Sequence, residues 1–153
     1  MQWFLDLISN PFLLTAISSW FVAQVLKVII NAVVNKKLSI ERLVGDGGMP
    51  SGHSATVTSL AVITALEYGT GSFQFAISAV LAIVVCHDAM GVRQETGKQA
   101  VIINEIVKLF GILSEETLPE VKLKELVGHT PMQVIAGALL GLGNAFLMYY
   151  AIL

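Results

Sequence analysis

Charge is scarce in this chain. Only 13% of its 153 residues are Asp, Glu, Lys or Arg, against about 25% in an ordinary soluble domain. Nine basic and eleven acidic residues leave a formal net charge of −2. No basic run is interleaved with aromatics, which argues against nucleic acid as a partner. Cys86 is the single cysteine, so an internal disulfide is excluded and the redox compartment stays open. The opening residues, Met1-Gln2-Trp3-Phe4-Leu5-Asp6, carry no basic n-region, so no cleaved secretory signal is expected. The chain also lacks an internal repeat and any low-complexity tract.

Apolar residues fill the space that charge leaves: 55% of the chain is hydrophobic and the mean hydropathy is +0.75. They fall in long blocks rather than alternating stripes, the pattern of membrane spans. The reading is an integral membrane protein, all-α, a polytopic transmembrane helical bundle in one domain. Residues 1–9 make a short amphipathic lead whose Trp3 and Phe4 suit the membrane interface. Four spans follow, at 11–34, 51–68, 73–90 and 131–153, the second short for a bilayer core that takes about 20 residues. Between the last two, 91–113 keeps helical spacing but carries a polar face. It reads as the third helix running on past the membrane, or as an interfacial helix bent near Gly91 or Gly97.

Orientation follows from the cations. Apart from Lys27 inside the first span, every Lys and Arg falls in 35–48 or 91–128. With four spans those two loops share one face, which the positive-inside rule makes cytoplasmic. Both chain ends then lie on the other side. No residue signals an oligomer, although a homodimer is compatible with so small a membrane protein.

Two stretches carry chemistry. The first is Gly47-Gly48-Met49-Pro50-Ser51-Gly52-His53-Ser54-Ala55, a Gly-rich turn feeding a buried helix, with Pro50 expected in its first turn. Such a turn aims unpaired N–H groups and the positive dipole end at one small volume that suits a phosphate. An ordinary helix start with a surface histidine is the competing reading. The second stretch, Gly128-His129-Thr130-Pro131, opens the fourth span. In a four-span topology both starts share a membrane face, so His53 and His129 can converge. Gly137 and Gly141 form a small-xxx-small pair that admits a close helix neighbour. Gln133 stands four residues past His129, the helical spacing at which side chains meet.

Pro50-Ser51-Gly52-His53 and Gly128-His129-x-Pro131-x-x-Val134-x-x-Gly137-x-x-x-Gly141 resemble two motifs of the type-2 phosphatidic acid phosphatase superfamily, which includes vanadium-dependent haloperoxidases. Asp88-Ala89-Met90-Gly91-Val92-Arg93 with Gly97-Lys98-Gln99-Ala100 resembles its divergent branch of small bacterial and plastid membrane proteins. The resemblance implies a bacterial inner-membrane or plastid-membrane protein with its motif face on the cytoplasmic side. It implies His129 as a nucleophile that forms a phosphohistidine and His53 as the acid that protonates the leaving alcohol. Ser51, Gly52 and nearby cations would hold the phosphate, with Lys27 standing for the first motif's lysine. No metal or other cofactor is implied. Three positions depart from the parent pattern. Gln133 replaces an aspartate and can orient an imidazole but not stabilise its cation. Leu123, between Lys122 and Lys124, replaces an arginine, and Val34-Asn35 stands where Arg-Pro belongs.

Arg93 and Lys98 are candidates for the missing cations; the alternative is interfacial charges paired with Glu95 or with lipid phosphate. Lys27 has a competing reading too, snorkelling to nearby headgroups. Asp88 is a candidate partner for Arg93 or for a histidine. Cys86-His87-Asp88 are adjacent and point in different directions, so they do not bind one ion; a zinc site joining His53, His87 and His129 is the weaker alternative. The expected function is hydrolysis of a lipid phosphate or pyrophosphate, with a phospholipid or polyprenyl phosphate as partner. The alternative is a non-catalytic binder or transporter of phosphorylated lipid that keeps the anion site. A purely structural subunit leaves both histidine motifs unexplained.

Overall fold

A computed structural model describes residues 1–36, 48–114, 123 and 127–151. All regular structure among them is helical: α1 (Gln2–Ile8), α2 (Pro11–Asn35), α3 (Gly52–Tyr68), α4 (Phe73–Met90), α5 (Val92–Ser114) and α6 (Pro131–Ala151). Most of the 35–48 loop, Lys122, Lys124 and the last two residues of the expected fourth span lie outside the described residues.

Local chemistry sets the boundaries. Asn10 caps α2, its side chain accepting from the N–H groups of Phe12 and Leu13, and Pro11 takes the first helical position. Ser72 caps α4 by accepting from Phe75 N–H at 3.1 Å. Gly69, at φ +79°, ends α3 in a conformation that side chains resist. Ser51, rather than Pro50, opens α3: its hydroxyl accepts from the Ser54 N–H at 3.3 Å. Pro50 therefore stands before the cap, outside the first turn.

Among the described residues, three helical stretches are long and apolar enough to cross a membrane: Pro11–Val34, Phe73–Gly111 and Pro131–Ala151. The second joins α4 to most of α5, and the chain bends between them at Gly91, not at Gly97, which is buried inside α5. Of the four expected spans, 51–68 is the exception. With 17 residues α3 falls short by length, yet eight of them are buried, among them Gly52, Ser54, Ala55 and Ser59. It is the inner helix, wrapped by α2, α4 and α6. Most large apolar side chains of α2 and α4, such as Ile17, Phe21, Ile83 and Val84, are exposed. They present the surface that a lipid environment solvates.

Small residues build the interior. A Cβ on Gly137 would collide with the Ser51 carbonyl, and one on Gly141 with the Ala55 carbonyl. The two pairs advance together, so α3 and α6 run parallel with their backbones nearly touching, as small-xxx-small seams allow. Buried hydroxyls act as small side chains because they bond their own helix: Thr15 to the Pro11 carbonyl at 2.7 Å, Ser59 to Thr56 at 2.9 Å, Thr64 to Leu60 at 2.7 Å. Asn144 of α6 reaches across to Ser18 and Ser19 of α2, at 2.9 and 2.7 Å.

The short helix shapes the site. Phe12 of α2 stacks on Tyr68 of α3 with ring centroids 5.4 Å apart, so these ends are level. α3 has 17 residues to the 25 of α2. Eight fewer residues, at about 1.5 Å each, leave the start of α3 recessed by ~12 Å from the far end of α2.

Candidate functional site

At the floor of that recess three chain segments meet. Ser51 donates its N–H to the Gln133 carbonyl (3.0 Å), tying the start of α3 to the first turn of α6. His129 donates its N–H to the Ala89 carbonyl (3.0 Å), tying the approach to α6 to the end of α4. Gly128, at φ +85°, lies so close to the Arg93 and Gln94 backbone that a Cβ would clash with it. Only glycine fits a left-handed position packed against a helix start.

These ties bring the two histidines together. Their ring centroids are 6.4 Å apart and the planes are nearly perpendicular, at 81°. His129 is buried, 3% exposed; His53 is exposed on the first turn of α3. Both line a cavity of about 230 Å³. Its walls come from α4 (Val84, Val85, Asp88 and Ala89), and its rim from Arg93 and Gly128. Arg93 Nε donates to Asp88 Oδ2 at 2.6 Å, so the cavity's guanidinium arrives already paired with a carboxylate.

The remaining candidates divide. Ser51 is fully buried, with its N–H given to Gln133 and its hydroxyl accepting from Ser54, so it builds the site without lining the cavity. Gly52 and His53 follow it, and among the described residues their N–H groups make no hydrogen bond. They are two of the donors that a helix start leaves without an intrahelical partner. Gln133 is used differently from the sequence expectation. Its Oε1 accepts from Thr130 N–H at 3.1 Å while Thr130 Oγ1 accepts from Gln133 N–H at 3.4 Å. This is a reciprocal capping box. Because His129 precedes the helix, the four-residue helical spacing does not bring Gln133 to its ring.

Lys98 pairs with Glu95 at 2.6 Å on the exposed side of α5 and does not line the cavity. Lys27 is 3% exposed, on the buried α2 stripe with Gln24 and Asn31, so it does not snorkel out. It is also absent from the cavity lining. His87 lies outside the cavity as well, and among the described residues no three His, Cys, Asp or Glu side chains are grouped to hold a metal ion.

Sequence reasoning missed the Ala89 carbonyl, the fit of Gly128 against α5 and the valine wall. None of these has a local signature. The Thr130-Pro131-Met132-Gln133 box did have one, a Thr three residues before a Gln at a helix start.

The profile of the Divergent PAP2 family matches residues 8–143. The uncharacterized membrane protein YuiD of Bacillus subtilis (strain 168) is 39% identical over 155 residues, covering 95% of this chain and 98% of its own length. No solved structure matches the chain.

Proposed function

The chain belongs to the Divergent PAP2 family, and from that premise we propose that this membrane protein is a phosphatase acting on a lipid phosphate or pyrophosphate. The observation that carries the reading is the pairing of His53 and His129 across one cavity. In it, neutral His129 attacks phosphorus, the P–O bond to the lipid alcohol breaks, and His53 gives the leaving oxygen its proton. Water then attacks the phosphohistidine with His53 taking a proton, and orthophosphate leaves. Ring centroids 6.4 Å apart leave both imidazoles within reach of one phosphoryl group. An attacking atom stands about 3–3.5 Å from phosphorus, and a proton donor about 2.6–3.2 Å from the leaving oxygen. The N–H groups of Gly52 and His53, the α3 dipole and Arg93 supply charge for the phosphoryl oxygens. The motif end faces the cytoplasm in this reading, because the described cations Lys36, Arg93 and Lys98 flank that end of α2 and α4.

One observation favours the second reading, a binder or transporter of phosphorylated lipid without turnover. Gln133, where a carboxylate would stabilise a histidine cation, is an amide spent on a helix cap. A single experiment separates the two. Protein in lipid nanodiscs is assayed with phosphatidate and polyprenyl phosphates, beside His129→Ala, His53→Ala and Gln133→Asp. Vanadate-sensitive phosphate release is expected, abolished by His129→Ala and reduced about 10²–10⁴-fold by His53→Ala. Lipid binding without release, even in Gln133→Asp, overturns the enzyme in favour of the binder.

A further inference from the structure

The histidine cavity has an apolar neighbour. A second space of about 310 Å³ begins at His53 and Val85, which it shares with the cavity, and runs on between α2, α3 and α4 past Ile17, Trp20, Thr56 and Val57. Its surface is wholly apolar. The one hydroxyl along it, on Thr56, is bonded to the Gly52 carbonyl at 2.8 Å. Trp20 lies close against Gly52, where a Cβ would meet its ring at 3.4 Å, so the indole forms a wall at the junction with the helix start.

Resting on the phosphate-site reading above, we propose that this slot receives the hydrocarbon chain of the lipid phosphate, which leaves the cavity sideways past His53. Ile17, Trp20, Val57 and Val85 are then the residues that select the chain. The slot adjoins the cavity, the two sharing His53 and Val85 in their linings, so a chain attached to a phosphate held in the cavity has an apolar groove immediately beside it. Burial against water contributes little to the choice, because a lipid tail is already in an apolar medium. Selection comes from packing and shape, which the fixed walls of the slot impose. Because His53 borders both spaces, the ester oxygen joining phosphate to chain lies beside it. His129 borders only the cavity.

The test uses protein in phosphatidylcholine nanodiscs with a phosphatidate bearing a photoactivatable group in its acyl chain. Labelling is mapped by mass spectrometry, and vanadate binding is followed separately by vanadium NMR. Expected is vanadate-competed labelling at Ile17, Trp20, Val57 or Val85, falling at least tenfold in Ile17→Trp while that variant still binds vanadate. Ile17 is 53% exposed, so the added bulk fills the slot rather than the core. Vanadate-competed labelling on the outer face of α4 between Phe73 and Val84 overturns the proposal. So does labelling that Ile17→Trp leaves unchanged. The wild-type map stands as evidence even if that variant fails to fold. Failure of the wild type to bind vanadate or be labelled under its competition sinks the phosphate site and the slot together. Vanadate binding with a misplaced chain sinks the slot alone.

Discussion

The seam between α3 and α6 and the arm formed by α5 are built on opposite terms. At the seam two backbones approach so closely that Gly137 and Gly141 leave no room for a Cβ. The arm is apolar but barely packed: Ile102, Ile103, Ile106 and Phe110 are exposed. Its beginning is held where Gly128 lies against Arg93 and Gln94. Farther on, the Asn104 amide bonds both backbone groups of Leu123 at 2.9 Å. Apolar character therefore does not decide what is core here. In a membrane, side-chain size decides it, because lipid solvates large aliphatic groups as well as the interior does. The site sits where the two regimes meet: the seam fixes His53, and the contact between the arm's first turn and Gly128 fixes His129.

That contrast can be attacked from its strongest point downward. Gly141→Leu forces a side chain into the Ala55 carbonyl and is expected to cost more than the ~3 kcal/mol upper end of ordinary overpacking. It should appear as lost folded yield and a collapsed thermal transition in detergent; a near-normal melting temperature would refute the seam. Gly128→Ala strikes the junction. Its left-handed backbone alone costs roughly 1–2 kcal/mol with a Cβ, and the clash with α5 adds to that. The bundle should persist while vanadate binding falls at least tenfold, and retention of that affinity would show that His129 is positioned by something else. Ile106→Ser probes the arm, where unfolding should shift by no more than about 0.5 kcal/mol. A loss as large as that of Gly141→Leu would erase the distinction between the two regions.

Much of this was legible in the residues. The apolar blocks marked α2, α4 and α6, and the polar face of 91–113 left two readings, the third helix running on or an interfacial helix bent near Gly91 or Gly97. Gly91 was one of two expected bend points, and the structure bends there. Gly137 and Gly141 announced a close helix neighbour, and the shared face of two histidine motifs made their convergence an expectation. Other features were illegible because they are relations between distant segments. The spacing from Thr130 to Gln133 allowed a capping box, but whether the amide closes it or meets an imidazole depends on His129 lying before the helix. Lys98 and Arg93 look alike in sequence, yet one pairs with Glu95 outside the cavity and the other borders it beside Asp88.

What the sequence determined by itself is the solvent and the local geometry. Its shortage of charge and its apolar blocks commit the chain to a membrane, and its capping residues and glycines set where helices start and stop. Only the tertiary structure decided which helix is innermost, how far the start of α3 is recessed, and that the histidine cavity and an apolar slot share His53 and Val85. Hydropathy is a sum over neighbours in the chain. Recess and cavity arise from differences in length and side-chain volume between helices that meet only once they pack.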